Sequence, residues 1–330
     1  MKAIQIIGTQ RSGSNLLRVM LDTLDGVFAP HPPHILHRFL PLLSKYGSFE
    51  SEAARRMLIH DVCEMVRINP VPWNVTLDED EIAKECEPFS LYKLYRIVYE
   101  TAARQNGASI WINKSMQNVH YAEGLEASGL HPVYLYLFRD GRDVALSFKK
   151  AIVGEKHIYC IARSWKKDQA ACIRLKASTD PSRFVCIRYE DLITDSESEL
   201  RKICNAVDIP YESKALEYYR SSESDLTSAA GKMWENVKKP VMKDNKNKFL
   251  KELSPEEIAI FESVAGEELK ALGYELVTPE EQLRTFSPEE IGAFEAENEA
   301  LKKQFMSQAD EEDVRKRQPQ DDLIRSIKQR

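Results

Sequence analysis

Short apolar runs alternate with amphipathic stretches along most of the chain. Runs of three to seven residues, rich in Val, Ile and aromatic side chains and bounded by polar turns, are typical of buried strands. They predict strands over Ala3–Ile7, Val27–Ala29, Ile110–Asn113, Pro132–Phe138 and Arg183–Arg188. Apolar residues between these runs recur with helical spacing. They predict helices over Leu16–Leu24, Glu52–Arg67, Leu91–Gln105, Val119–Ala127, Arg142–Lys150 and Ile158–Leu175.

This alternation of strands and helices predicts an α/β protein. Parallel strands need long crossover connections, which helices supply, so we expect a three-layer fold with helices on both faces of a central parallel sheet. Ligands of such sheets bind at the carboxyl ends of the strands. Functional residues are therefore expected directly after each strand.

The last part of the chain has a different character. Ser254-Pro255 and Ser287-Pro288 each open a helix, with Ser as the N-cap and Pro in the first turn. After Gly273-Tyr274-Glu275 the sequence is polar and charged. We expect a main domain over 1–279, with a helical insert at about 34–106 on the acceptor side, and a charged helical tail over 280–330. The tail is expected to lie outside the core and to be either partly disordered or a surface for homo-oligomerisation.

Composition excludes several classes of protein. Hydrophobic residues make up 43% and charged residues 30% of the chain, as in proteins with a packed core. The formal net charge of −6 argues against a general nucleic-acid binder. No apolar run is long enough to span a membrane, and the first residues do not resemble a signal peptide. None of the six cysteines forms a C-x-x-C pair, so we expect reduced thiols and a cytoplasmic location.

The loop from Gly8 to Asn15 has the composition of an anion-binding turn between a strand and a helix. Backbone N–H groups and the helix N-terminus favour a negative ligand there. The spacing of Gly8 and Gly13 matches the first part of a Walker A loop, so the fold is expected to be P-loop-like. Ser14 and Asn15 replace the Walker Lys and the hydroxyl that holds Mg²⁺. The loop therefore predicts phosphate binding without a metal, or else a Gly-Ser turn that only caps the helix.

A second candidate anion site follows the fourth predicted strand. Arg139 stands at the strand end and Ser147 lies on the next helix. A guanidinium and a hydroxyl together can bind a further phosphate. The alternative is a turn held by salt bridges.

A tyrosine follows the fifth predicted strand. Tyr189, in the segment Arg188-Tyr189-Glu190-Asp191-Leu192, is placed to contact a purine ring, or else it is a core aromatic residue. Two anion sites and this tyrosine indicate a nucleotide with two separate phosphate groups.

In this order and spacing the three segments resemble the sulfotransferases that use 3′-phosphoadenosine 5′-phosphosulfate (PAPS). The resemblance covers about residues 3–275. It implies that Arg139 and Ser147 bind the 3′-phosphate and that Tyr189 lies at the adenine. It also implies that the first loop holds the 5′-phosphosulfate through Thr9, Gln10, Arg11, Ser12, Gly13, Ser14 and Asn15.

The likeness is strongest to the branch that has Arg in the first loop, which includes the tyrosylprotein and carbohydrate sulfotransferases. The tyrosylprotein enzymes have segments similar to Arg11–Asp22, to Asn113-Lys114-Ser115-Met116 and to Lys239-Pro240-Val241, in which the lysine contacts the cofactor. The chain departs from them after the second strand. Pro30-His31-Pro32-Pro33-His34 stands where they have an acidic catalytic residue.

The resemblance implies in-line transfer of a sulfuryl group to an acceptor hydroxyl, with PAPS as donor and no metal. Arg11 remains protonated, so its role is charge stabilisation at the leaving oxygen, and Lys114 shares that role or donates a proton. His31 is the first candidate for the base, because an imidazole has a suitable pKa, and His34 is the second. His31, His34 and His37 also have a spacing that suits metal ligands, but the intervening prolines argue against a metal site.

The acceptor is expected to be a carbohydrate, a lipid or another small alcohol, because many aromatic residues lie between the second and third strands and can line a pocket for it. The alternative is that most of these aromatic residues form helical core. Two other functions remain open at this point. A P-loop small-molecule kinase would require Mg²⁺, and a non-catalytic nucleotide-binding scaffold would bind the nucleotide without turnover.

Overall fold

A computed structural model describes residues 1–330 and contains one parallel sheet of five strands. The order across the sheet is β2-β3-β1-β4-β5, and every neighbouring pair is parallel. The strands are β1 (Lys2–Gly8), β2 (Val27–Phe28), β3 (Ile110–Asn113), β4 (Val133–Phe138) and β5 (Phe184–Arg188). The register pairs Ile4 with Ile112 on one side of β1 and Ile6 with Leu135 on the other. The predicted strands are confirmed to within two residues at each end.

Helices surround the sheet in the order that the sequence predicted. The first part of the chain contains α1 (Ser14–Asp22), α2 (Ile35–Phe39), α3 (Glu52–Arg67), α4 (Glu79–Glu85), α5 (Leu91–Gln105), α6 (Ala122–Ala127), α7 (Gly141–Lys150) and α8 (Ile158–Ser178). The second part contains α9 (Tyr189–Thr194), α10 (Ser196–Val207), α11 (Ser222–Ala229), α12 (Phe249–Glu252), α13 (Pro255–Ala271), α14 (Pro288–Ser307) and α15 (Glu311–Lys328). Short 3₁₀ helices lie at Leu40–Tyr46, Met116–Tyr121, Pro181–Arg183, Ser213–Arg220, Lys232–Lys238 and Glu280–Gln282.

Alternate residues of the strands pack against opposite helical layers, as the period of two along a strand requires. Ile4, Ile6 and Leu135 share one buried cluster with residues of α1 and α10. On the other face, Trp111 packs in a cluster with α3 and α5, and Tyr136 packs in one with α8. The three-layer α/β arrangement is therefore confirmed.

One predicted helix is divided. The span Val119–Ala127 is a 3₁₀ helix up to Tyr121 and an α-helix from Ala122. Asn118 Nδ2 donates to Gln5 Oε1 at 3.0 Å and to Asn113 Oδ1 at 3.2 Å. These buried bonds hold the tighter turn against the sheet.

Residues 280–330 are helical, but the expectation that they lie outside the core is wrong. Ile327 of α15 is fully buried in the cluster that contains Trp111. Arg330 donates to the buried carboxylate of Asp61 at 2.5 and 3.1 Å. In α14, the side chain of Asn298 accepts the N–H groups of Lys156 and His157, just before α8. Both α14 and α15 thus pack against the rest of the same chain.

No helix combines the length and the apolar character that crossing a bilayer requires.

Candidate active site

The carboxyl ends of the strands open into one cavity of about 640 Å³. Gly13, Lys114, Arg139 and Tyr189 follow four different strands, and all four line this cavity. The remaining predicted residues that line it are Gln10, Arg11, Ser14, Asn15, His31, His34 and Ser147. The parallel topology thus brings together side chains that lie far apart in the sequence.

The first loop is closely packed against Tyr189. Gly13 has a φ of +86°, and a Cβ atom built there would lie 2.4 Å from two ring carbons of Tyr189. Only a residue without a side chain fits this backbone position. The start of α1 therefore presents its free N–H groups close to the aromatic ring.

The two predicted anion sites are in direct contact. Arg11 Nε donates to Ser147 Oγ at 3.0 Å, and Arg139 Nη1 donates to the carbonyl oxygen of Arg11 at 3.2 Å. Burial and the nearby Arg139 charge lower the pKa of Arg11 from its ordinary value. Two guanidinium groups held this close favour a ligand that carries more than one negative charge.

Arg139 is fixed by its neighbours, yet one of its donors is free. Its guanidinium carbon lies 4.5 Å from the centroid of the Tyr189 ring, and Nη2 donates to the carbonyl oxygen of Asn245 at 3.0 Å. Asn245 Nδ2 in turn donates to Tyr189 Oη at 2.7 Å. Arg139 Nε is buried without a hydrogen-bond partner. The side chain is thus pre-oriented and retains a donor for a ligand.

Lys114 is a buried amine among cations. Burial, followed by the charges of Arg18 and Arg11, lowers its pKa to about 7. An amine with this pKa is partly neutral at pH 7, and an anion in the cavity would favour its protonation.

His31 is a buried imidazole whose two ring nitrogens have no hydrogen-bond partner. Burial lowers its pKa well below 6.5, and the charge of Lys114 adds to the shift. Its carbonyl oxygen accepts from Asn69 Nδ2 at 3.0 Å and from Trp73 Nε1 at 2.8 Å. The imidazole is therefore neutral, and its backbone is held in place.

His34 differs from His31 because its ring is already bonded. The Nδ1 atom of His34 lies 3.0 Å from Ser115 Oγ, and burial lowers its pKa as well. No group of three or more His, Cys, Asp or Glu side chains is arranged to hold a metal ion.

Comparison with known proteins identifies the family. The model of the sulfotransferase family matches residues 3–213. The chain belongs to the sulfotransferase family. It is 24% identical over 279 residues to protein-tyrosine sulfotransferase A of Caenorhabditis elegans, which covers 82% of this chain and 67% of that protein.

Solved sulfotransferase domains share the fold. The domain of the Synechococcus PCC 7002 olefin synthase superimposes with a TM-score of 0.58 at 19% identity, over 83% of this chain and 95% of that one. The domain from the curacin biosynthetic pathway gives 0.57 at 21% identity, over 83% and 98%. The P-loop-like fold expected from the first loop is thus confirmed for this sulfotransferase.

Three predicted site residues of the sulfotransferase do not line the cavity. Thr9 is buried, and its Oγ1 accepts from Gln169 Nε2 of α8 at 2.8 Å. Ser12 is fully buried, and its hydroxyl has no hydrogen-bond partner. The side chain of Lys239 is 57% exposed and donates to Asn236 Oδ1 at 3.0 Å, although Pro240 beside it lines the cavity.

Several lining residues of the sulfotransferase had no signal in the sequence. They are Arg38, Trp234, Asn245, Arg317 and Gln320. Trp234 lies in a short 3₁₀ helix and Asn245 in an irregular segment, and neither shows a periodic pattern in the sequence. The two from α15 come from a segment that the sequence placed outside the core.

Proposed function

We propose that this sulfotransferase moves a sulfuryl group from PAPS to an acceptor hydroxyl by metal-independent in-line transfer. The observation that carries this proposal is the contact between Arg11, Ser147 and Arg139 at the ends of β1 and β4. It gathers cationic donors for two anionic groups around one cavity. PAPS carries its two anionic groups on one ribose, so both can be held there at once.

The residues present fit such a nucleotide. Arg139 Nε is a buried donor without a partner at the cavity, which a bound anion would satisfy. Gly13 leaves the backbone of the first loop open to close approach. We assign the 3′-phosphate to Arg139 and Ser147, and the 5′-phosphosulfate to the loop that contains Arg11.

The reacting groups divide into cations and a base. Arg11 and Lys114 stabilise negative charge on the leaving oxygen, and Lys114 holds a proton near it once the anion is present. His31 accepts the proton of the acceptor hydroxyl through a free ring nitrogen, because its imidazole is neutral. His34 is the alternative base.

The acceptor is a molecule that presents a hydroxyl to His31. A carbohydrate, a lipid or another small alcohol fits this description. The Caenorhabditis elegans relative is named for protein tyrosine, so a tyrosine hydroxyl joins these candidates.

The test is calorimetric titration with the desulfated product 3′-phosphoadenosine 5′-phosphate (PAP), with and without Mg²⁺, and with ATP as the comparison ligand. We expect metal-independent binding that requires the 3′-phosphate and weakens about tenfold or more in Arg139→Ala. Lys239→Ala tests whether this exposed lysine outside the cavity contacts the donor, as the resemblance implies, or only adds a positive charge nearby. Preference for ATP with Mg²⁺, or unchanged affinity in Arg139→Ala, would reject the proposal in favour of a phosphotransferase or another site.

A further inference from the structure

The C-terminal helix α15 forms part of the wall of the cavity beside His31. Arg317 and Gln320 both line the cavity. Gln320 Nε2 donates to Asn69 Oδ1 at 3.2 Å, and Asn69 in turn donates to the carbonyl oxygen of His31. The helix is therefore anchored to the segment that carries the proposed base, although it lies beyond the residues that the family model matches.

Arg317 is a half-buried cation in this wall, and one of its donors has no partner. Its guanidinium carbon lies 5.4 Å from the ring centroid of Trp234, and its Nη2 atom is buried without a hydrogen-bond partner. Burial lowers the pKa of Arg317, and the carboxylates of Asp313 and Asp321 offset only part of the shift. Leaving a guanidinium in this state is costly unless a ligand completes its bonds.

A second arginine faces the same cavity from another element. Arg38 of α2 lines it, and burial lowers the pKa of Arg38 as well, with only Asp321 acting in the opposite direction. Arg38 and Arg317 come from opposite ends of the sequence. They give the wall of one cavity two cationic groups in addition to the residues assigned to the donor.

The position of these arginines relative to the base defines which ligand they would meet. Trp234 contacts the imidazole of His31, with ring centroids 4.6 Å apart, and it also packs under Arg317. The charge of Arg317 is also among those that lower the pKa of His31. A group bound by Arg317 thus lies beside the proposed base, on the side of the acceptor.

We propose that Arg317, together with Arg38, binds an anionic group of the acceptor, so that the enzyme selects hydroxyl compounds that carry a carboxylate or a phosphate-type group. The inference rests on the proposed function, because it assigns these arginines to the acceptor and not to the donor. It makes the C-terminal helix a specificity element of the site.

The test uses the full-length protein, saturated with PAP, and calorimetric titration with matched hydroxyl compounds. The probes are para-hydroxyphenylacetate, para-hydroxybenzylphosphonate and the neutral para-hydroxyphenylacetamide. We expect the anions to bind about tenfold or more tightly than the amide. The ratio of the carboxylate and phosphonate affinities then tells which anion the site prefers.

Substitutions at two arginines of α15 provide the test and its control. Arg317→Gln should abolish the preference for the anions, and Arg317→Lys should retain part of it. Arg315→Gln removes the same charge from an exposed position on α15 outside the cavity, and should behave as the wild type. Thermal unfolding of the three variants shows whether each one is folded. Equal affinity for anion and amide in the wild type, no binding of any probe, or an unchanged preference in Arg317→Gln would overturn the inference.

Failure of the proposed function would look different. PAP affinity is measured for each variant, and the probe titrations are repeated without nucleotide. If the wild type fails to bind PAP but still prefers the anions, the donor assignment is wrong and the anion site stands. If Arg317→Gln weakens PAP binding, the arginine serves the donor, and the inference about the acceptor is overturned.

Discussion

The ring of Tyr189 lies directly against Gly13, so that a single added carbon would collide with it. The built Cβ atom of Gly13 lies 2.4 Å from two ring carbons, and the φ of +86° is itself unfavourable for other residues. The guanidinium of Arg139 lies over the same ring. The absence of a side chain at Gly13 therefore determines where Arg139, the residue proposed to bind the 3′-phosphate, is held.

This contact predicts the effect of Gly13→Ala. We expect the ring and Arg139 to shift, with PAP affinity reduced about tenfold and stability reduced by about 1–3 kcal/mol. Gly292→Ala is the matched control, because nothing lies within 4 Å of a Cβ atom there. Because Gly292 lies within α14, its replacement by alanine should stabilise the helix slightly. Calorimetry and denaturant unfolding measure the two effects, and equal behaviour of the two variants would contradict the packing argument.

Lys114 should take up a proton when the nucleotide binds. Its pKa of about 7 leaves the amine mostly neutral at about pH 8, and a bound anion raises that pKa, so binding protonates it. The binding enthalpy of PAP should therefore depend on the ionisation enthalpy of the buffer. Lys114→Arg keeps the charge and should abolish this dependence while PAP still binds. Persistence of the dependence in Lys114→Arg would assign the proton to another group.

His31→Ala should separate binding from turnover. We expect PAP affinity near that of the wild type and turnover reduced by about a hundredfold or more, because the free imidazole is lost. Added imidazole should restore part of the activity to a folded variant. His34→Ala should have the smaller effect, since its ring nitrogen is bonded to Ser115. The reverse order of the two variants would make His34 the base.

Asp22 should make stability depend on pH. Burial, with the charge of Glu223, raises its pKa from 3.8 to about 7. The folded state thus binds a proton more tightly than the unfolded state between these values. Its stabilising contribution is complete below about pH 4 and is lost as the pH rises through about 7.

Asp22→Asn should remove that dependence. The amide oxygen can still accept the N–H of Ala29, which the carboxylate accepts at 2.8 Å. The variant should therefore gain stability relative to the wild type as the pH rises from about 5 to about 8, as measured by denaturant unfolding. Asp25→Asn, at a side chain that is 87% exposed, should leave the pH profile unchanged. If the stability of Asp22→Asn depended on pH as that of the wild type does, the titrating group would be another residue.

Ile327→Ala tests the docking of α15. The side chain is fully buried, so its truncation should cost about 2–5 kcal/mol of stability, as measured by denaturant unfolding. Val314→Ala removes apolar carbon from the same helix at a position that is 38% exposed, and should change stability by about 0.5 kcal/mol or less. Equal effects of the two variants would contradict the packing of the tail against the core.

The local elements were readable from the sequence because they depend on neighbours along the chain. The spacing of apolar residues predicted α3 and α5 with the bounds that the structure has, and it located all the strands. The alternation of elements then gave the parallel sheet. Because strand ends in such a sheet meet at one edge, residues after them, such as Lys114 and Arg139, line one cavity.

The tertiary structure alone decided which distant surfaces meet. Most of α15 is polar, so its periodicity does not reveal that Ile327 is buried or that Arg317 lines the same cavity as His31. Likewise, the resemblance implied a cofactor contact for Lys239, whereas in the structure its side chain donates to Asn236. Such contacts follow from long-range packing, in which each element settles according to the combined burial of all the others and not according to its own sequence pattern.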